Sequence, residues 1–259
     1  MNEPRLPEDF SDHLKIANAE DRLTEALAVA EKITAAGVPL LRNPDHAAIF
    51  ADPPYILAGP LKEVGYVTGW DARCYPSPVD GQDYINVPSG LPAGHPALAK
   101  GWFQYVAVVH PVDEPARRKM LEQDYGNPFI HHITWGIVPP ECSGKIDDLA
   151  YAGTVVRYMI EVRKQIGEAI GDAPGTLIVA LPGTVMRHPG FEADLEAWTE
   201  ALSDEEVQVE EMEGGGYLLQ FFVLAGGRIE VALRVGTRQT FNPKSVHKIS
   251  EDEISTVQN

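Results

Sequence analysis

The fold of this chain can be worked out from one stretch, Phe129-Ile130-His131-His132-Ile133-Thr134-Trp135-Gly136-Ile137-Val138. β-Branched and aromatic residues dominate it and prolines bound it on both sides, which predicts a β-strand. Side chains alternate between the two faces of a strand, so the residues fall into two sets. One set is His131, Ile133, Trp135 and Ile137, and the other is Ile130, His132, Thr134, Gly136 and Val138. The first set is apolar enough to pack on a core, whereas the second resembles the wall of a polar cavity.

Two other segments repeat this pattern of an apolar back and a polar front. Residues 12–17 place His13 and Lys15 on the polar face of a predicted strand. Residues 227–235 place apolar residues at every second position, and the positions between them are Arg228, Glu230, Ala232 and Arg234. The three polar faces therefore carry His13, His132 and Glu230. Two imidazoles and one carboxylate are a typical ligand set for a catalytic divalent metal with open coordination positions.

The composition is that of a soluble globular protein and argues against two classes of partner. The chain has 259 residues, of which 44% are hydrophobic and 23% are charged, enough for one large or two smaller domains. The net charge of −17 argues against binding to nucleic acid or to an anionic membrane, because both surfaces are negative. No apolar run is long enough to predict a transmembrane helix, and the polar N-terminal residues do not resemble a secretory signal. We therefore expect a cytoplasmic protein in which Cys74 and Cys142 are free thiols.

Each half of the chain runs in the order strand, helix and then several strands. In the first half, a helix is predicted at 20–36, extended segments at 46–57, 64–70, 84–87 and 102–110, and a short helix at 115–123. In the second half, a helix at about 147–170 precedes strands at 176–181 and 207–212, with a helix at about 191–202 between them. The closing hairpin joins 217–224 to 228–235 through Ala225-Gly226-Gly227.

An internal duplication explains this repeated order. The first strands align at His13 and His132, and the last strands align Tyr105 with Glu230. The predicted division is a first module at 1–128, which contains a loop-rich insertion, a second module at 129–236 and a polar tail at 237–259.

The opening strand His-His-Ile-Thr-Trp-Gly-Ile and the closing hairpin Phe-Phe-Val-Leu-Ala-Gly-Gly-Arg-Ile-Glu-Val-Ala resemble those of the vicinal oxygen chelate superfamily, which includes glyoxalases and extradiol dioxygenases. The resemblance covers roughly residues 9–236, although the hairpin turn lacks the usual Asp-Pro. It implies an α+β fold in which two βαβββ modules form a curved mixed sheet around a central cavity.

The same resemblance implies a metal bound by His13, His132 and Glu230. Glyoxalase-like members usually place a fourth ligand on the last strand of the first module, where this chain offers Tyr105, or Gln104 if the register slips by one. Because neither is a carboxylate, the set is more similar to the two-histidine, one-carboxylate triad of ring-cleaving dioxygenases. That triad favours Fe(II) or Mn(II), and Zn or Ni remain alternatives.

Other residues are candidates for catalysis or substrate binding, and each also has a purely structural interpretation. Tyr105, Gln220 and His247 are candidates for positioning the substrate or for acid–base catalysis. The candidates for substrate binding are Lys15, Thr134, Arg228 and Arg234. A surface histidine would equally explain His13, and an ion pair with a nearby arginine would equally explain Glu230.

The leading hypothesis is a metal-dependent enzyme that binds a small substrate through two vicinal oxygens. A dioxygenase-like reaction is favoured over a glyoxalase-like isomerase or lyase reaction, since the predicted ligands form a triad. The alternatives are a metal-free protein that holds a small molecule on the same sheet and a structural protein that binds a partner. A small molecule is the expected partner, and a homodimer remains open.

Overall fold

A mixed β-sheet lies at the centre of the protein in the computed structural model, which describes residues 3–7, 9–16, 19–76, 83–122, 126–212, 215–224, 228–236 and 247–248. For residues 11, 69–76, 83, 247 and 248, only the backbone is described. The strands found within these ranges are β1 His46–Phe50, β2 Val67–Pro76, β3 Asp83–Gly90, β4 Tyr105–Pro111, β5 Phe129–Gly136, β6 Leu177–Pro182, β7 Val207–Met212, β8 Tyr217–Val223, β9 Ile229–Val235 and β10 His247–Lys248.

The strand order is β10-β2-β3-β4-β1-β5-β9-β8-β6-β7, and it contains the same unit twice. In the first unit β1 runs parallel to β4, and β4, β3 and β2 follow as antiparallel neighbours. In the second unit β5 runs parallel to β9, and β9, β8 and β6 follow in the same way. The two units meet where β1 and β5 pair antiparallel, and β7 extends the second unit beyond β6. The α+β class and the pair of βαβββ units are thus confirmed.

The helices occupy positions that match most of the predictions. Their bounds are α1 Phe10–Leu14, α2 Ala19–Ala35, α3 Ala58–Glu63, α4 Pro96–Ala99, α5 Glu114–Glu122, α6 Leu149–Ile170, α7 Gly183–Met186 and α8 Phe191–Thr199, with a 3₁₀ turn at Pro54–Leu57. Helix α6 ends at Gly171, whose φ of 75° is the left-handed conformation that glycine adopts without steric cost. None of the described helices has the length and apolar character needed to span a bilayer.

The main core lies between one face of the sheet and the helices α2 and α6. Ile33 of α2 and Met159 of α6 are fully buried in the same cluster as the back-facing strand residues Ile133, Trp135 and Val231. The other face of the sheet, which we call the site face, carries His46, Thr134 and Glu230. The apolar back and polar front predicted for the β9 segment are therefore confirmed, since Ile229, Val231 and Leu233 are in the core.

The prediction of a strand at residues 12–17 is wrong, because this segment contains the end of helix α1. Phe10 and Leu14, four residues apart, are both buried and lie on one face of that helix. His13 is exposed, with its ring 5.3 Å from that of Trp102, and Lys15 is exposed just after the helix. Six residues of alternating polarity are too few to separate a short strand from a helical turn. The first strand of the first unit is β1, which begins at His46.

The prediction that His131 and His132 face opposite sides of the sheet is also wrong, because strand β5 contains a β-bulge. His132 pairs with Ala48, but the next residue of β1, Ile49, pairs with Ile130, so His131 is an extra residue. Such a bulge interrupts the strict alternation of side chains. Ile130 consequently joins the core together with Ile133, and both histidines lie on the site face.

Some predictions fall on residues that the structure does not describe. The hairpin turn at 225–227, the side chain of Cys74 and most of the tail from 237 lie outside the described residues. The backbone of His247 pairs with Trp70 at the edge of the sheet, but its side chain is not among those described. Cys142 is a free thiol, as expected.

Candidate metal centre

Three side chains on the site face converge in a group that could hold a metal ion. His46, His132 and Glu230 each present one ligand atom, and the three atoms lie within 4.8 Å of one another. The side chains of these three residues retain only 11, 12 and 5% of their accessible area. Buried nitrogen and oxygen ligands at this spacing are what a metal site requires.

Strand pairing brings the three residues together from distant parts of the sequence. They belong to β1, β5 and β9, which are adjacent at the centre of the sheet. His132 lies opposite Ala48, two residues from His46, and Glu230 lies beside Thr134, two residues from His132. Side chains two residues apart share a face, so all three ligand atoms point to the same side.

One carboxylate oxygen is the centre of the cluster. The Nε2 atom of His132 lies 3.3 Å from Oε2 of Glu230, and the Nε2 atom of His46 lies 3.7 Å from it. The hydroxyl of Thr134 donates a hydrogen bond of 2.5 Å to the same oxygen and lies 3.1 Å from the Nε2 atom of His46. Thr134 therefore orients the carboxylate towards both imidazoles.

The local electrostatics favour a ligating protonation state at neutral pH. Burial alone raises the pKa of Glu230, but the hydrogen bond from His132 and the nearby charges of His46, His132 and Arg234 together lower it to about 2. Burial lowers the pKa of His132 below its usual 6.5, and this effect outweighs the opposing hydrogen bond with Glu230. Glu230 is thus ionised and His132 is neutral, as metal coordination demands.

Asp45 orients the His46 ring through the ring nitrogen that does not face the cluster. Its Oδ2 atom lies 3.2 Å from Nδ1 of His46, and Arg234 lies 3.4 Å from the same oxygen through Nη2. An Nδ1 proton donated to this carboxylate leaves the Nε2 lone pair of His46 facing the cluster. Ligating histidines in metal sites are usually oriented by a hydrogen bond of this kind.

His46 takes the position that the sequence analysis assigned to His13. The error arose from aligning the two halves at the wrong segment, which placed the first strand before α2 and not after it. A signal was present, because Asp45-His46 precedes the short apolar run Ala47-Ala48-Ile49-Phe50. This run lies within the extended segment predicted at 46–57, whereas the first strand was predicted at 12–17.

The register also corrects the alignment of Tyr105 with Glu230. Tyr105 lies beside His46, whereas Ala107 lies beside Ala48, two residues further along β1. Glu230 has the same relation to His132 as Ala107 has to His46, so Ala107 occupies the position of a fourth ligand. The ring of Tyr105 lies 5.5 Å from that of His46, and its hydroxyl accepts a hydrogen bond from Asn86.

Of the other residues predicted to act in catalysis or substrate binding, Arg228 lies near the cluster, whereas Gln220 and Lys15 do not lie on the three strands that form it. Arg228 is half-buried and close enough for its charge to lower the pKa of His131 and His132. Gln220 lies on β8, where it pairs with Ala232 of β9 on one side and with Ile178 of β6 on the other. Lys15, on the α1 side, is not on a strand of the site face. Phe222 packs its ring edge-on against that of His132, with the ring centroids 5.1 Å apart.

Solved structures of other proteins are similar to this chain in fold, and two of them serve as examples. A triple mutant of 4-hydroxymandelate synthase from Streptomyces coelicolor is 18% identical, with a TM-score of 0.43, over 84% of this chain and 53% of the synthase chain. Methylmalonyl-CoA epimerase is 15% identical, with a TM-score of 0.33, over 73% of this chain and 93% of the epimerase chain. This chain therefore spans about half the length of the synthase structure. No protein-family model and no curated protein sequence matches it.

Proposed function

We propose that this protein is a metal-dependent enzyme that binds a small substrate through two neighbouring oxygen atoms. The proposed ligands are His46, His132 and Glu230. The observation that carries the proposal is the convergence of their three ligand atoms within 4.8 Å on three adjacent strands.

The chemistry of the donor set fits a divalent metal with open coordination positions. Two neutral imidazole nitrogens and one ionised carboxylate leave net positive charge on a divalent ion, and the alanine at position 107 supplies no fourth ligand. An ionised carboxylate that retains 5% of its exposed area is costly to bury, and a bound cation offsets that cost. Fe(II) or Mn(II) fits this set best, and Zn(II) or Ni(II) is an alternative.

A metal bound there supplies a Lewis acid towards substrate oxygens and, if it is Fe(II), a redox centre. The surrounding residues have separate tasks. Thr134 and Asp45 fix the orientations of Glu230 and His46 through hydrogen bonds. Phe222 shields His132 from water, and Tyr105 presents a phenol beside His46. Arg228 is the candidate for attracting an acidic substrate.

A dioxygenase-like reaction is the favoured chemistry, because three protein ligands leave positions for both a substrate and O₂. A glyoxalase-like isomerase or lyase reaction is the alternative, and the two differ in their need for oxygen. We expect the Fe(II)-loaded protein to consume O₂ with at least one member of a panel of catechols and 2-oxo acids. Anaerobic exchange of a carbon-bound hydrogen with D₂O, without O₂ consumption, would instead identify the isomerase or lyase chemistry.

A metal-free binding protein is the competing function, and one observation favours it. Thr134 and His132 already provide hydrogen-bond donors to Glu230, so the cluster is internally satisfied without an ion. In that case the three residues form a hydrogen-bonded structural network on the site face, and a small molecule would bind beside them.

Metal content separates these two functions. We expect about one metal ion per chain in wild-type protein reconstituted anaerobically with Fe(II), Mn(II) or Zn(II) and then desalted. His46→Ala, His132→Ala and Glu230→Ala should each reduce this content at least about tenfold, because each removes a ligand. His13→Ala is the matched control and should bind as the wild type does. Wild-type protein that retains none of these metals would refute the proposed enzyme and leave the metal-free alternative.

A further inference from the structure

The bulge in β5 places two imidazoles in direct contact. The Nδ1 atoms of His131 and His132 lie 2.9 Å apart, which is hydrogen-bonding distance. Two N–H groups cannot point at each other at this distance, so one Nδ1 atom donates and the other accepts. A single proton is therefore shared across this contact.

The other nitrogen of His132 determines which of the two rings donates. Nε2 of His132 lies 3.3 Å from the carboxylate of Glu230. Without a metal, Nε2 carries the proton and donates it to Glu230, so Nδ1 of His132 is an acceptor and His131 is the donor. With a metal on Nε2, the proton of a neutral His132 must be on Nδ1, and His131 must accept it.

We propose that His131 is a positioning residue for His132. When the metal binds, each of the two rings changes its tautomer, and the hydrogen bond between them reverses direction. This inference rests on the proposed function, since it requires a metal at Nε2 of His132. The proton count balances in both states. The proton of His132 moves from Nε2 to Nδ1, the proton of His131 moves from Nδ1 to Nε2, and the pair releases no net proton.

The contrast with His46 shows why an imidazole is suited to this position. Nδ1 of His46 faces the carboxylate of Asp45, which accepts but does not donate, so the tautomer of His46 is set by that contact. Nδ1 of His132 faces a group that can donate or accept. His132 can therefore keep a hydrogen bond on both nitrogens before the metal binds and keep one on Nδ1 afterwards.

The surroundings of His131 keep the contact isolated from solvent. The His131 residue is only 6% exposed, and the ring of Tyr84 packs edge-on at 6.0 Å. Because water is largely excluded, the two Nδ1 atoms satisfy each other with one hydrogen bond across the contact.

Nitrogen NMR of histidine-labelled protein tests the exchange without any activity measurement. The chain contains eight histidines, and the resonances of His131 can be assigned from their absence in a His131 variant. In metal-free protein we expect a proton on Nδ1 of His131, and in Zn(II)-loaded protein we expect it on Nε2. The same His131 tautomer in both states would overturn the inference.

Zn(II) affinity of two variants provides a second test. His131→Phe keeps the ring size but removes the acceptor, and we expect the Kd for Zn(II) to rise about 10- to 100-fold. His131→Asn keeps a carbonyl acceptor near the former Nδ1 position and should stay within about threefold of wild type. His110→Phe is the matched control, because His110 is a buried histidine outside the cluster, and its Kd should be unchanged.

The outcomes separate this inference from the proposed function. Wild-type protein that does not bind Zn(II) would refute the metal site and this inference with it. Wild-type protein that binds Zn(II) no more tightly than His131→Phe would refute the role of His131 alone. If His131→Phe does not fold, the NMR comparison of metal-free and Zn(II)-loaded wild-type protein still shows whether His131 changes its tautomer.

Discussion

At the scale of single residues, the cluster depends on the carboxylate of Glu230 being accompanied by donors. Its Oε2 atom accepts a hydrogen bond from the hydroxyl of Thr134 and faces two imidazoles within a largely buried site. Thr134 is itself fully buried and also contacts His46. The hydroxyl of Thr134 therefore connects His46 of the first unit with Glu230 of the second, although Thr134 is not one of the proposed ligands.

We predict that Thr134→Val lowers the stability of the metal-free protein by about 1–3 kcal/mol. Valine has the same shape but leaves the buried carboxylate without one of its donors. The measurement is the free energy of unfolding from urea titration. Thr154→Val is the control, because the hydroxyl of Thr154 donates only to a carbonyl of its own helix among the described groups, and it should change stability by less than about 1 kcal/mol. Equal effects of the two substitutions would contradict a special role for the Thr134 hydroxyl.

At the scale of secondary-structure elements, the packing of α6 on α8 depends on a glycine. A Cβ atom added at Gly153 would lie 2.5 Å from Nε1 and 2.7 Å from Cε2 of the Trp198 ring. Trp198 is 7% exposed and packs its ring against Phe191. The close approach of these two helices is therefore possible only without a side chain at position 153.

We predict that Gly153→Ala destabilises the protein by about 1–3 kcal/mol, because the rigid indole must move. This loss opposes a gain of about 1 kcal/mol in helix propensity. Gly59→Ala in α3 is the matched control, because an added Cβ would meet nothing within 4 Å there, and it should be neutral or stabilising. Thermal unfolding followed by circular dichroism compares the two, and a stabilised Gly153→Ala variant would show that the helices can separate at no cost.

At the scale of the whole molecule, helix α2 links the two units. It precedes β1 in the sequence, yet it packs against α6, β5 and β9 of the second unit. Its residue Ile33 is fully buried in a core cluster that also contains Ile49 of β1 and Leu233 of β9. We therefore expect the two units to unfold in one cooperative transition.

Ile33→Ala tests this expectation, and we predict a loss of about 2–5 kcal/mol in the free energy of unfolding. Amide hydrogen exchange should show lower protection in β1 and in β9 together, because both pack in the cluster that contains Ile33. The exposed Leu224 provides the control Leu224→Ala, which should change protection little. Lower protection confined to α2 would show that the units unfold independently.

Local patterns in the sequence were enough to predict the α+β class, the presence of two repeated units, the polar face of β9 and two of the three proposed ligands. His132, Thr134 and Glu230 were predicted together because period-two alternation depends only on local geometry. The long helix α6 and the strands of the closing hairpin were also predictable, because the helical period of the one and the period-two alternation of the other are sustained over many residues.

Three features depend on tertiary structure: the third proposed ligand, the residue at the position of a fourth ligand, and the contact between His131 and His132. His46 replaces His13 because pairing between β1 and β5 places His46 beside the other proposed ligands, and such pairing is not local. Ala107 corresponds to Glu230 because the register between β1 and β4 matches the register between β5 and β9. His131 contacts His132 because one extra residue in β5 breaks the alternation, and a bulge depends on the neighbouring strand that it fits.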